Sequence, residues 1–280
     1  MSSNIFAKKI NFMKMSGAGN DFIVIDNRAN LINQNINILA KKLCNRRYSI
    51  GADGLILVET SKKASFRASF FNSDGSEFNL CGNGGRCVAR FAFINVIASR
   101  RMSIETNAGC LSAEILINSV KLQMPLPIKI EMDKIIIVDD KKIKGYFIKI
   151  GDPHFIAFAK NINDMPFNSI AKKMRKSESF GMEGSNINLI MHKRENRFLI
   201  RTFERSIEQE TLACGSGCVS AAIALYYLKY PYSIYIFETQ SGFPLTVYLN
   251  TSDNEITNLA LEGDARIIYK GEAYPEAWEY

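Results

Sequence analysis

Histidine is scarce in this chain, with two among 280 residues, and tryptophan occurs once. Two imidazoles cannot build a His-rich metal centre unless cysteine supplies the remaining ligands. None of the six cysteines (Cys44, Cys81, Cys87, Cys110, Cys214 and Cys218) stands in a Cys-x-x-Cys pair, so no metal is expected. The longest mainly apolar run, residues 218–228, falls short of the ~20 residues a bilayer-crossing helix needs, and no membrane association is expected. Residues 1–15 lack the apolar centre of a secretory leader. A cytoplasmic chain with reduced thiols is therefore expected. The Gly-x-x-x-x-Gly-Lys phosphate loop is missing, and Gly82-Asn83-Gly84-Gly85 follows a cysteine without dinucleotide-binding spacing. A net charge of +7 raises the question of nucleic acid, but Lys and Arg are scattered, with only short runs such as 172–176. A solvated basic surface and no nucleic-acid partner are expected.

What is present is a repeat. Hydrophobic residues make up 47% and charged residues 22%, enough for a full core. Shifted by 133 positions (214 minus 81), the sequence aligns with itself without a gap. Cys81-Gly82-Asn83-Gly84 falls on Cys214-Gly215-Ser216-Gly217, and Glu105-Thr106 on Glu238-Thr239. Phe22-Ile23 falls on Phe155-Ile156, Gly51 on Gly184, and Phe70, Ser73 and Glu77 fall on Phe203, Ser206 and Glu210. Many matches at one offset close to half the length imply two equivalent halves, too few copies for a solenoid. We read an N-terminal half over 1–129 and a C-terminal half over 130–264, joined near Pro125-Leu126-Pro127, with the tail 265–280 free to pack back on the first.

Each half is rich in short β-branched or alternating segments. These are residues 9–15, 22–26, 55–60 and 66–71, then 146–150, 186–191, 197–203 and 233–239. Directly after each Cys-Gly-x-Gly comes an apolar helical stretch, 87–94 and 218–225, whose character predicts burial. Further helices are expected near 36–44 and 163–176. The predicted fold is α+β: two similar domains from a duplication, each a mixed sheet wrapped around a central helix, with the active site in the cleft between them.

Two glycines after each cysteine allow a tight bend and bare the N–H groups of a helix start, which carries partial positive charge. Such an end binds a carboxylate and favours a thiolate. A thiol at each of two such ends suits inversion of a carbon α to a carboxylate, one thiolate removing the proton and the opposite thiol returning one. That chemistry calls for no cofactor in principle. Cys44, Cys87, Cys110 and Cys218 are read instead as small buried hydrophobes.

Several motifs in order resemble the diaminopimelate epimerase family. They are Gly17-Ala18-Gly19-Asn20-Asp21-Phe22, Gly51-Ala52-Asp53-Gly54, Asn72-Ser73-Asp74-Gly75-Ser76-Glu77, Cys81-Gly82-Asn83-Gly84, Glu204-Arg205 and Ala213-Cys214-Gly215-Ser216-Gly217. The resemblance spans about residues 12–242. It implies a cofactor-independent isomerase that interconverts LL- and meso-diaminopimelate for lysine and peptidoglycan synthesis, working as a homodimer. It implies Cys81 and Cys214 as the acid/base pair, with His154 and Glu204 tuning the thiols. It further implies substrate contacts from Asn20, Asn72, Gly82, Asn83, Asn186, Glu204, Arg205, Gly215 and Ser216, with Arg205 on the distal carboxylate. A racemase of the same two-cysteine type, acting on proline or hydroxyproline, is the nearest alternative. A duplicated binding protein and a metal-binding module are the others. Three positions depart from the family pattern: Ser16 where His is frequent, Gly54 where some members carry Gln, and Asp152 where Asn is usual. Asp152 is expected to pair with His154.

Overall fold

The computed structural model describes residues 9–32, 35–163 and 165–280. Residues 1–8, part of the segment read for a leader, and Asp164, at the start of the helix expected near 163–176, lie outside the described residues. The chain divides into two compact units, one running to Leu122 and resuming over Gly263–Tyr280, the other formed by Gln123–Glu262.

The first unit is built on strands β1 (Ile10–Gly17), β2 (Asn20–Asp26), β3 (Gly54–Glu59), β4 (Phe66–Asn72), β5 (Glu77–Phe78), β6 (Arg101–Thr106), β7 (Gly109–Ile115) and β8 (Val120–Met124), the last ending just past the division. Helix α1 (Ile36–Leu43) lies between β2 and β3, and α2 (Gly82–Ile94) between β5 and β6. Pairing is mixed: β1–β2 is antiparallel, β2–β3 parallel, β3–β4 antiparallel, β4–β6 parallel, and β6–β7 and β7–β8 antiparallel. Alternate residues along the central strands serve two covered faces. Ile23, Ile25, Leu55 and Leu57 pack with Leu39 and Leu43 of α1. Phe22, Ile56 and Phe70 instead reach Gly84 of α2, which is central to the unit. Burial on both faces is why these strands read as continuous apolar runs rather than as alternation.

The second unit repeats this arrangement with β9 (Lys129–Val138), β10 (Lys141–Ile150), β11 (Asp152–Phe158), α3 (Phe167–Arg175), β12 (Asn186–Arg194), β13 (Arg197–Glu204), β14 (Gln209–Thr211), α4 (Gly215–Tyr227), β15 (Ile234–Glu238), β16 (Leu245–Ser252) and β17 (Glu255–Gly263). The offset of 133 places α2 on α4 residue for residue. The parallel partners keep the same spacing of 32 residues, Phe22↔Gly54 in one unit and Phe155↔Ile187 in the other. Phe155, Ile187, Leu189 and Phe203 pack against Phe167, Ala171 and Met174 of α3. The backbone carries the repeat even where side chains differ. Left-handed residues recur at Ala18/Gly151, Gly51/Gly184, Gly75/Glu208, Val96/Lys229 and Gly109/Gly242, all with φ between +51° and +110°.

One strand breaks the correspondence. In the second unit β9 flanks β10 antiparallel. At the repeat offset the second half of β9, residues 134–138, falls on residues 1–5, which lie outside the described residues. That place beside β1 is taken by β18 (Arg266–Ala273), antiparallel with Ile10 opposite Ala273. Cys44, Cys87 and Cys218 are buried, but Cys110 is exposed, contrary to expectation. It follows the tight turn at Gly109, and alternation along β7 turns Leu111 inward and Cys110 out. Among the described residues no helix is long and apolar enough to cross a membrane.

Candidate active site

Each Cys-Gly-x-Gly is a helix start. Cys81 caps α2 with φ −123° and ψ 126°, and Cys214 caps α4 with φ −123° and ψ 112°. Both are extended residues leading straight into a helix whose first turn is rich in glycine, so the first backbone N–H groups of each helix, which have no intrahelical acceptor, start beside the sulfur. The two surroundings differ from there on.

Around Cys81 the Sγ donates to Asn20 Oδ1 at 3.5 Å, while Asn20 Nδ2 donates to Asp53 Oδ2 at 2.7 Å. A carboxylate can only accept, so Asp53 fixes which end of the Asn20 amide faces the thiol. Asp53 is itself bound by Arg46, which also grips Asp21 with two bonds of 2.9 and 2.6 Å. Burial alone would raise the Asp21 carboxyl, but Arg46 and the buried Lys14 hold it well below the usual carboxylate range. Asn83, the second residue of α2, is buried and accepts from Arg86 Nη2 at 2.9 Å. Arg86, with no exposed surface, also donates to the carbonyls of Gly82 and Asp264. Asn72 sits at the end of β4 and donates to Ser76 Oγ at 2.9 Å. Gly54 has no room for a side chain, since a Cβ would stand 2.7 Å from the Phe71 carbonyl oxygen. Ser16 is buried, its Oγ accepting from Arg266 Nη2 at 3.4 Å.

Around Cys214 a buried polar chain replaces that arrangement. Cys214 Sγ lies 3.5 Å from Ser216 Oγ, and Ser216 Oγ lies 3.0 Å from His154 Nε2. His154 Nδ1 lies 3.2 Å from Asn188 Nδ2, and Thr202 Oγ1 donates to Asn188 Oδ1 at 2.9 Å. His154 is fully buried in β11, and burial pushes its pKa down to about 4, so the ring is neutral near pH 7. The Asp152 carboxylate opposes that shift through space and the Arg205 guanidinium reinforces it. The expected Asp152–His154 pairing is not made: Asp152 accepts from Arg205 Nη2 at 2.7 Å and is largely exposed. The two residues flank Pro153 at the start of β11, where Asp152 meets the half-buried Arg205 guanidinium and the neutral His154 ring is turned into the core. Asn186 is buried, its Oδ1 accepting from the Arg205 backbone N–H at 2.9 Å, so it anchors the backbone at the end of β13. Glu204 accepts from Thr211 Oγ1 at 3.1 Å. Burial first, then the Glu204 carboxylate, drives the Cys214 thiol well above its ordinary range, with the Ser216 hydroxyl and the Gly217 N–H pulling the other way.

Thus Asn20 stands with Cys81, while Ser216 and His154 stand with Cys214 and Glu204 exerts its charge on it. Asn188, Thr202 and Arg86 went unread in the sequence, and Asp53 was quoted within a motif but given no role. For Asn188 a signal existed, because the repeat offset sets it on Leu55, a polar residue where the other half has a core leucine.

These features match known proteins closely. The family model for diaminopimelate epimerase matches residues 12–136 and 146–267. The chain belongs to the diaminopimelate epimerase family. A diaminopimelate epimerase of Chlorobaculum tepidum is 39% identical over 92% of this chain and 98% of its own length. One of Flavobacterium psychrophilum is 37% identical over 92% and 97%, and one of Aquifex aeolicus 34% over 96% and 99%. Among solved structures, a hydroxyproline epimerase from Agrobacterium vitis is similar with a TM-score of 0.72 at 12% identity, covering 97% of this chain and 94% of that one. A phenazine biosynthesis protein of the PhzF family from Bacillus anthracis is similar with a TM-score of 0.69 at 17% identity, covering 95% and 99%. At such identity these two establish the two-domain α+β fold and nothing about substrate. Among the described residues of this diaminopimelate epimerase family chain, no three His, Cys, Asp or Glu side chains are grouped to hold a metal ion.

Proposed function

We propose that the chain interconverts LL- and meso-2,6-diaminopimelate, with Cys81 and Cys214 as the two acid/base groups and no bound cofactor. The observation that carries this reading is a cysteine capping each of two equivalent helices, in a chain of this family. One sulfur, as thiolate, takes the α-proton and becomes a thiol. The other, as thiol, delivers its proton to the opposite face and becomes a thiolate, so charge and protons balance. The backbone N–H groups at the two helix starts, Gly82, Asn83, Gly215 and Ser216, supply preorganised donors to the reacting carboxylate as charge builds at the α-carbon. Asn20, Asn72, Asn186 and Arg205 serve the substrate's polar ends, Arg205 by its guanidinium fork. Glu204 and His154 adjust the proton affinity of Cys214. We place the enzyme in the cytoplasm, acting as a homodimer.

The decisive measurement is incubation with LL-diaminopimelate in D2O without added cofactor. Meso product carrying deuterium at the inverted carbon is expected, with net epimerisation lost in both Cys81→Ala and Cys214→Ala. No deuterium incorporation by the wild-type chain, or full turnover by either variant, would defeat the reading.

A further inference from the structure

We infer that Asn188 is a positioning residue that fixes the tautomer of His154, and that His154 acts on Cys214 only through the Ser216 hydroxyl. The inference rests on Cys214 being one of the acid/base groups.

The argument follows donors and acceptors along one chain. The amide of Asn188 is held in a single orientation. Its Nδ2 lies 3.2 Å from the carbonyl oxygen of Phe155, which can only accept, and its Oδ1 receives the Thr202 hydroxyl at 2.9 Å. The same Nδ2 therefore donates its second hydrogen to His154 Nδ1. A neutral imidazole that accepts at Nδ1 carries its proton at Nε2. Nε2–H then donates to Ser216 Oγ, and the serine's own hydrogen is left to point elsewhere. Cys214 Sγ is within sulfur hydrogen-bonding range of that oxygen, at 3.5 Å. The relay thus ends in an O–H aimed at the sulfur, which favours the thiolate.

This answers a chemical need. A reversible two-base reaction requires Cys214 to be a thiolate in one direction, while burial and Glu204 both oppose the negative charge. A neutral donor that stays a donor across the working pH range meets that need without placing a second ion in the core. The device belongs to one half only. At the repeat offset, His154, Asn188, Thr202 and Ser216 fall on Asp21, Leu55, Ser69 and Asn83, and Cys81 instead faces an acceptor oxygen of Asn20. Three charged groups act on the relay, Asp152 and Arg205 on His154 and Glu204 on Cys214, and the variants below leave all three in place.

Two measurements test this, and neither needs diaminopimelate, so a failed turnover assay would not be confused with a failed relay. The first is long-range 1H–15N correlation on the full chain labelled at histidine, at pH 7. With two histidines, assignment needs only a His192→Gln control. A bare Nδ1 and protonated Nε2 at His154 are expected, and the opposite tautomer overturns the inference outright, whatever the variants do. The second is the pH dependence of iodoacetamide alkylation at Cys214, read by mass spectrometry. Ser216→Ala should move the alkylation midpoint up by about one pH unit, as loss of a bond to a charged group predicts. Asn188→Asp puts an acceptor opposite Nδ1, draws the ring proton there and turns the serine hydroxyl toward Nε2. It should shift the midpoint by a similar amount, but by less than half as much in the Ser216→Ala background. Equal shifts in both backgrounds would mean that Asn188 acts by charge or packing and not through the serine.

Discussion

Asp152 and Arg205 illustrate how one side chain changes the task of another. An asparagine at 152 would leave Arg205 with only Glu183, whose carbonyl lies 3.3 Å from Nη1 and whose carboxylate lies 3.8 Å from Nη2, whereas here Nη2 is already held at 2.7 Å by a carboxylate that is mostly in water. Exposed pairs of this kind are weak, so the pair competes with substrate without blocking it. Asp152→Asn should lower KM for diaminopimelate by about threefold with little change in kcat, in keeping with the worth of one exposed ion pair. A raised KM in steady-state assays would show instead that Asp152 holds the substrate's ammonium group. His154 leads to a second expectation. Its pKa is about 4 in the folded chain against about 6.5 when unfolded, so the unfolded state binds more protons between those values. Its contribution to stability is therefore complete above pH 6.5 and lost as pH falls toward 4, amounting to about 2 kcal/mol by pH 5. Urea titrations at pH 7 and pH 5 should show the wild-type chain losing that much more than His154→Gln. At this scale the two cysteines and their glycines were legible because their chemistry is local, four residues in a row. The relay was not: His154, Asn188, Thr202 and Ser216 lie on four different elements, and Asn188 sits inside what reads as an ordinary apolar strand.

Among elements, the contact between a central helix and the strands beneath it sets how much variation each cysteine's helix tolerates. Gly84 and Gly217 occupy the same repeat position, yet their surroundings differ. A Cβ at Gly84 would meet the ends of three side chains, Ile56, Phe70 and Phe22, at 3.2 to 3.3 Å. At Gly217 it would come within 2.4 Å of Asn188 Oδ1, an atom held in place by the Thr202 hydroxyl. Gly84→Ala should therefore cost little, about 1 kcal/mol or less after small rotamer shifts. Gly217→Ala should cost about 2 kcal/mol and displace the amide, as overpacking against a fixed group does. Denaturant midpoints of the two variants check this, and equal losses would contradict it. Helix α1 was predicted almost to the residue, and the helices after the cysteines were placed by their apolar stretches, but α2 and α4 begin earlier than expected, at Gly82 and Gly215, because the glycine bends themselves form the first helical turn. Strands β5 to β9, β11, β14 and β16 to β18 were not foreseen. Of these β9 and β18 carry several charged residues, and β9 ends in the polar turn Asp139-Asp140, so their pairing depends on partners rather than on their own pattern.

For the molecule as a whole, the duplication was readable from one repeated offset and the tail was expected to be free to pack back on the first half, but its pairing as a strand beside β1 was not foreseen. The tail closes that half: β18 fills the edge beside β1, and Trp278, the chain's one tryptophan, packs partly buried against the core that contains Phe12, Leu39 and Ala273. Tryptophan emission therefore reports this closure alone. In refolding from urea, Trp278 should recover its native emission after most of the far-UV signal has returned, because pairs such as Ile10 with Ala273 close a very long loop. Simultaneous recovery of both signals would rule this out. The same pairing has a consequence for the order in which a ribosome delivers the parts. The stretch 123–262 is continuous and can finish folding while its last residues are still emerging. The half that is made first must wait, with the side of β1 that β18 will cover left open, until Arg266–Ala273 has been translated.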